Sequence, residues 1–334
     1  MGMEMVYPPP LNVAGFTEVL FKISHLFKAY QKVKEALRTK KPDLIILIDY
    51  PDMNLRLARE AHKENIPVLY YISPQVWAWR SGRVRDIARY VNRLAVILPF
   101  EADFYKSYGV PAEFVGHPLL DQIPGTGPSG EPSSPDRRGK TLVGLLPGSR
   151  PGEIKMILPI LLETAWGLAR QYGSALRFVL PVANTLDPQP IREALRPYQE
   201  KGLAVELASE DSQTTLARCH QAIVASGTVT LEAAILGIPF SIVYKVSAVN
   251  YWIARMLIDV PYVGLVNWVA GDKIIPEYIQ TEAVPQAIME GAGRYLEEPD
   301  YVQTIKEELI KVRQKLGSPG ASQRVAQMAL EMMS

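Results

Sequence analysis

Short apolar runs, almost unbroken by polar residues, recur along this chain, and stretches of helical apolar spacing lie between them. The runs are Asp43–Ile48, Pro67–Ile72, Leu94–Leu98, Thr141–Leu146, Leu176–Leu180, Leu203–Leu207, Ala222–Ala225 and Pro239–Tyr244. A strand that is apolar at nearly every position is buried on both faces, and intervening helices supply the cover. The pattern predicts an α/β fold built on parallel sheets. Such sheets bind ligands beyond the carboxyl ends of their strands, so function is to be sought just after each run.

The alternation is interrupted once. Residues 122–140 hold four Pro, four Gly and three Ser among 19 positions, which is the composition of a linker. The chain therefore reads as a first α/β domain over 1–121, a linker over 122–140 and a second α/β domain over 141–298. Two helices over 299–334, split at Gly317–Gly320, follow and are free to pack back on the first domain. Near the start, Phe16, Val19, Leu20, Ile23, Leu26, Phe27, Tyr30, Val33 and Leu37 follow a 3.6-residue period, with lysines elsewhere on the helix. Such a helix either covers a sheet or lies on an acidic bilayer, and the two roles are compatible.

Charge narrows the function. The whole chain carries a net charge of +1, against a dedicated nucleic-acid binder. Residues 1–120 carry +4 and the remainder −3, a mild pull of the first half toward anionic surfaces. Cys219 is the only cysteine and the four histidines are scattered, so neither an intramolecular disulfide nor a metal-ligand spacing is present. No apolar run approaches the roughly 18 residues of a membrane span. The expectation is a cytoplasmic protein with no metal and no cofactor, touching membranes only peripherally.

Two turns in the second half carry the chemistry. The run Thr141–Leu146 ends in Pro147-Gly148-Ser149-Arg150, and a helical pattern starts at Pro151 with Glu153 in its first turn. A strand feeding a helix through small residues directs backbone N–H groups and a positive dipole end at one spot, which suits phosphate. Arg150 adds a cation able to grip a phosphate with two donors. The plainer alternative is a βα turn with a surface arginine. Further on, Ala222–Ala225 opens through Ser226-Gly227-Thr228 into a helix carrying Glu232 one turn later. A carboxylate there suits a ribose diol, while the turn holds phosphate. A simple N-cap with a solvated glutamate is the alternative. Asn267, in an irregular apolar loop over 259–271, and Gln280 beyond Glu277 are further candidates for ligand contact.

In the first half, the strand-end rule gathers Asp49, Ser73-Pro74-Gln75 and Pro99-Phe100-Glu101 on one rim. Trp77, Trp79 and Arg80 lie between them. They either stack on a sugar or contact lipid and phosphate, or they anchor a loop in the core.

Together these strings follow the order found in lipid-A-disaccharide synthases. Ile48-Asp49-Tyr50-Pro51-Asp52-Met53-Asn54, Ser73 through Arg80, Leu98-Pro99-Phe100-Glu101, Gly116-His117-Pro118, the arginine turn, Ser226-Gly227-Thr228 with Glu232, and Asn267 carry the resemblance. It implies a GT-B fold, with two Rossmann-like domains whose parallel sheets face a central cleft. It also implies an inverting, metal-independent transfer. The donor would be UDP-2,3-diacylglucosamine, and the acceptor the 6-hydroxyl of 2,3-diacylglucosamine 1-phosphate. The products would be lipid A disaccharide 1-phosphate and UDP. Domain 1–121 then takes the acceptor and domain 141–298 the UDP-sugar, at the cytoplasmic face of the inner membrane. A homodimer is left open. Family members open with a strand and a Gly-rich loop that would precede Met1, so the first domain is expected to be truncated at its N-terminus.

A hydroxyl nucleophile calls for a base, and a departing diphosphate calls for positive charge. Asp49 is the expected base, a position the resemblance also marks, with Asp52 in reserve; the alternative is that Asp49 caps the turn or helix that follows it. Arg150, with Gly148, Ser149, Ser226, Gly227 and Thr228, would stabilise the diphosphate. Glu232 would hold the ribose, Asn267 the donor sugar or the acceptor, and Gln280 the donor side. Asp52, Gln75, Trp77, Trp79 and Arg80 would serve the acceptor and its lipid. Arg150 and the Ser226 turn are expected to converge on one diphosphate, across the cleft from Asp49.

Overall fold

The computed structural model describes residues 16–77, 81–123, 140–183, 186–247, 251 and 260–334, with backbone alone for 16–25 and 81. Most of the 122–140 linker, and Trp79 and Arg80, lie outside the described residues. The chain forms two compact units, residues 1–118 with 318–334, and residues 119–317.

In the first unit, α1 (Phe16–Lys40) precedes β1 (Ile45–Ile48), α2 (Pro51–Lys63), β2 (Val68–Tyr71), α3 (Val84–Tyr90), β3 (Arg93–Val96), α4 (Glu101–Lys106) and β4 (Ala112–Phe114). The four strands pair in parallel in the order β1-β2-β3-β4. One sheet face packs on the helices through Leu47, Val68, Tyr70, Leu94 and Val96 with Leu37, Leu57, Ala58, Ile87 and Tyr105. Ala29 and Leu37 of α1 are buried while Phe27 is 61% exposed, so α1 covers its unit and still presents an aromatic outward. Lys34 ties α1 to α2 through Glu60 at 3.0 Å, and Arg38 pairs with Glu64, just past the end of α2, at 3.1 Å.

In the second unit, α5 (Leu119–Gln122) is followed by β5 (Thr141–Leu146), α6 (Pro151–Tyr172), β6 (Leu176–Pro181), α7 (Gln189–Glu200), β7 (Val205–Ala208), α8 (Ser212–Ala217), β8 (Gln221–Ala225) and α9 (Val229–Ile235). Then come β9 (Phe240–Tyr244), α10 (Leu265–Ala270), β10 (Glu277–Ile279), α11 (Pro285–Glu297) and α12 (Pro299–Lys315). All six strands are parallel, in the order β10-β9-β8-β5-β6-β7. The chain steps from β5 toward β6 and β7, then returns to the far side of β5 for β8. That reversal between β5 and β8 opens a crevice at their carboxyl ends. Both turns singled out in the sequence, 147–150 and 226–228, sit on those two strands.

The final helix, α13 (Ala321–Met333), returns to the first unit. Its Val325, Met328 and Ala329 cover Leu69, Tyr71, Ala95 and Val115 on the second face of the sheet. Arg324 fastens it, donating to the carbonyls of Val115 at 2.8 Å, Pro319 at 3.0 Å and Ser318 at 2.6 Å. Ile46 and Ile48 of β1 remain exposed.

Candidate active site

In the second unit the arginine turn is locked by its own helix. Glu153 Oε2 accepts the backbone N–H of Ser149 at 3.2 Å and of Arg150 at 3.4 Å. Its Oε1 accepts Arg150 Nη1 at 2.9 Å. A glutamate at the third helical position that reaches back to the N-cap amide is half of a capping box. Gly148 makes this possible. Its φ is 103°, and a Cβ there would meet the Glu153 carboxylate and lie 3.0 Å from Glu153 Cβ. Pro151 begins α6, where a missing N–H costs nothing. The Arg150 side chain is 81% exposed, so it is oriented yet accessible.

The Ser226 turn is arranged differently. Ser226 Oγ donates to the Val263 carbonyl at 2.9 Å, and the Gly227 carbonyl accepts Thr230 Oγ1 at 2.8 Å. Glu232 Oε2 accepts Ser212 Oγ at 2.7 Å, which ties the start of α9 to the start of α8. Asp211 caps α8 by accepting Thr214 N–H at 2.7 Å, and those hydrogen bonds hold its carboxyl below the usual range.

These groups share one pocket of about 440 Å³. Gly148, Ser149, Arg150, Ser226, Gly227, Thr228 and Glu232 all line it, so seven residues read from the sequence meet there. Glu153, Pro181, Val182, Ala183, Glu210, Asp211 and Ser212 also line it. These were not singled out as ligand contacts, although Val182 and Ala183 after β6, and Glu210, Asp211 and Ser212 after β7, stand where the strand-end rule points. α9 is only seven residues long, so its dipole is a small term and Arg150 is the pocket-lining cation.

Asn267 and Gln280 do not line that pocket. Asn267 is fully buried, its Nδ2 donating to the Ile275 carbonyl and to Glu277 Oε1, both at 2.9 Å. Its Oδ1 accepts Ile275 N–H at 3.0 Å. Glu277 in turn accepts the N–H groups of Val263 at 3.0 Å and Gly264 at 2.8 Å. This polar knot fixes the loop whose Val263 carbonyl holds Ser226. It supports the pocket at one remove, and residues 265–270, read from the sequence as irregular, form α10 within it. Gln280 clamps Val246, accepting its N–H at 2.8 Å and donating to its carbonyl at 3.1 Å.

In the first unit the strand-end rim is strained. Asp49, Tyr50 and Ile72, just past β1 and β2, have φ of 47°, 44° and 60°. Left-handed backbone costs a non-glycine residue roughly 1–3 kcal/mol, and such positions cluster at functional sites. The Asp49 carbonyl accepts Asn54 Nδ2 at 2.6 Å and Tyr70 Oη at 2.7 Å, and its side chain is exposed. Asp52 pairs with Arg83, and Gln75 is exposed.

Trp77 is an anchor. Its Nε1 donates to Glu101 Oε1 at 3.1 Å, and its ring stands edge-on to Phe100 at 4.9 Å. Buried Glu101 also accepts Ser73 Oγ at 3.0 Å and Leu98 N–H at 3.0 Å, and burial pushes its carboxyl upward. A second cavity of about 400 Å³, lined by Leu26, Phe27, Tyr30, Tyr50, Asp52, Met53 and Arg56, lies beside the Asp49 turn. Among the described residues no cluster of His, Cys, Asp and Glu is placed to hold a metal ion, and no helix is long and apolar enough to cross a membrane.

A family profile described as lipid-A-disaccharide synthetase matches residues 2–332. A lipid-A-disaccharide synthase of Geobacter metallireducens is 44% identical over 338 residues, covering 99% of this chain and 86% of the relative. One from Syntrophus aciditrophicus is 46% identical over 325 residues, covering 97% and 84%. Among solved structures, the Staphylococcus aureus MnaA–UDP complex superposes with a TM-score of 0.65 at 13% identity, covering 97% of this chain and 84% of that one. Acinetobacter baumannii MurG gives a TM-score of 0.59 at 16% identity, covering 96% and 82%. At such identities the structural likeness establishes the fold alone, which is GT-B.

Proposed function

The chain belongs to the lipid-A-disaccharide synthase family, and from that premise we propose how its residues divide the transfer reaction. It is a glycosyltransferase of lipid A biosynthesis. The donor is UDP-2,3-diacylglucosamine, the acceptor 2,3-diacylglucosamine 1-phosphate, and the products are the disaccharide 1-phosphate and UDP.

The observation that carries the division of labour is the pocket joining the arginine turn, the Ser226 turn and Glu232. UDP binds there. Glu232, braced by Ser212, accepts from the ribose hydroxyls, as a carboxylate near a βα turn does in nucleotide sites. Arg150 compensates the negative charge that grows on the diphosphate as the C1–O bond breaks. Asn267 and Gln280 serve this side by holding the loops around it.

In the first unit Asp49 acts as general base. The acceptor 6-oxygen attacks the donor anomeric carbon, its proton passes to the Asp49 carboxylate, and UDP leaves from the opposite face with inversion. General-base assistance is worth about 10²–10⁴-fold. Asp52 is held in an ion pair with Arg83, whereas the exposed Asp49 side chain is open to the acceptor hydroxyl. The apolar cavity beside Asp49 suits an acyl chain, and the exposed Phe27 gives the unit a foothold on an anionic inner-membrane surface facing the cytoplasm.

Mass spectrometry of the protein incubated with both lipid substrates tests this reading. One UDP and one disaccharide 1-phosphate are expected per donor consumed. Consumption of donor without disaccharide, or turnover of UDP-N-acetylglucosamine in the absence of acceptor, contradicts it. Flotation with anionic vesicles tests the membrane contact. Binding unaffected by Phe27→Asp removes α1 from it.

A further inference from the structure

Three elements converge on one peptide group at the end of β1. The Asp49 N–H donates to the Tyr71 carbonyl at 3.0 Å, which continues the β1–β2 pairing past the last strand residue. The Asp49 carbonyl then accepts two side-chain donors, Asn54 Nδ2 at 2.6 Å from α2 and Tyr70 Oη at 2.7 Å from β2. The same Asn54 amide reaches the Ile48 carbonyl at 2.9 Å. Tyr70 is fully buried and Asn54 nearly so. A phenol hydroxyl in a sealed core needs a partner, and here the partner is this carbonyl.

A carbonyl oxygen has two lone pairs, and both are engaged. Fixing it from two directions fixes the plane of the peptide joining Asp49 to Tyr50. These two residues hold consecutive left-handed conformations, at φ 47° and 44°. Single left-handed residues are tolerated in ordinary turns, whereas two successive non-glycine ones persist only where surrounding groups over-determine them. The two donors supply that constraint, and the Asp49 side chain leaves the turn exposed.

We propose that Tyr70 and Asn54 are positioning residues for the transfer reaction. They lock the strained Asp49–Tyr50 peptide and thereby aim the Asp49 carboxylate, without touching substrate themselves. The inference rests on reading Asp49 as the base. Misplacing a catalytic group by about 1 Å costs roughly 10²-fold in rate, so losing one of the two locks should be visible in kcat.

Tyr70→Phe is the decisive variant, because it removes one hydroxyl and keeps the ring that fills the core. The expected result is a 10- to 100-fold lower kcat, with KM for both lipid substrates and Kd for UDP within about twofold of the parent. In an Asp49→Asn background, followed by mass spectrometry over long incubations, Tyr70→Phe should change kcat by less than about twofold. Asn54→Ala should behave alike where it folds, and Tyr70→Phe decides the matter where it does not. An equal loss of rate in both backgrounds would mean a purely structural hydroxyl and would overturn the proposal. So would a parent-like kcat for Tyr70→Phe while Asp49→Asn is crippled. A parent-like Asp49→Asn enzyme would instead overturn the reading of Asp49 as base, and this inference with it.

Discussion

Glu153 holds Arg150 twice, through its backbone amide at 3.4 Å and its guanidinium at 2.9 Å. The arginine is therefore pre-oriented by a carboxylate one helical turn away, although its side chain is largely exposed. Pre-orientation is what makes a cation useful to a developing charge, since no reorganisation is needed at the moment of reaction. Arg150→Ala should lower kcat by about 10²–10³-fold. The melting temperature should stay within a degree or two of the parent, because few buried contacts are lost. Steady-state kinetics beside a thermal melt checks both halves.

Gly148 tests the same lock from the other side. Gly148→Ala places a methyl group against Glu153 at a φ of 103°. The glutamate must leave or the turn must open, at a cost of roughly 1–3 kcal/mol. UDP binding by titration calorimetry should weaken together with stability, whereas Arg150→Ala weakens binding alone.

Glu232 is read as the ribose ligand, and that makes a claim about the nucleotide rather than about rate. UDP should bind more tightly than 2′-deoxy-UDP, and Glu232→Ala should erase the difference. A hydrogen bond to a charged group is worth about 1.5–3 kcal/mol, so the parent preference should be on the order of 10- to 100-fold. Equal affinities in the parent protein would assign Glu232 to bracing Ser212 alone.

Acid should destabilise the first unit through His117. Burial holds this imidazole down from 6.5 to about 4. Its folded pKa is lower than its unfolded one, so neutral His117 favours the fold at pH above 6.5, and that contribution is lost as pH falls toward 4. The full shift corresponds to about 3 kcal/mol. Denaturant melts between pH 7 and 4 should show the loss, and His117→Gln should flatten it.

The C-terminal helix α13 should depend on Arg324, whose guanidinium satisfies three carbonyls. Arg324→Ala should cost about 2–4 kcal/mol. Hydrogen exchange should rise over residues 321–333 before the rest of the first unit opens.

Where the sequence spoke through covalent neighbours, it was readable. β5 and α6, with the turn between them, are contiguous in the chain, and Thr141–Leu146 was read with its observed bounds. The three-residue strands β4 and β10 were not read as strands, since they are too short to show a period. Asn267 shows the limit more sharply. A polar residue in an apolar loop looks the same whether it awaits a ligand or a buried partner. The partner here is Glu277, ten residues on, within a hydrogen-bond network that no spacing rule encodes. Trp77 was open for the same reason, and its indole finds Glu101 from another strand end. The left-handed backbone at Asp49, Tyr50 and Ile72 had no signal at all, because glycine is absent where it would have been expected.

The pH–rate profile of Asp49→Asn at saturating substrates, taken beside its affinity for UDP, goes straight to the chemistry. With Asp49 as the base, kcat falls by about 10²–10⁴-fold, the acid limb of the parent profile vanishes, and UDP binds as before. A variant that keeps the parent's acid limb contradicts that role.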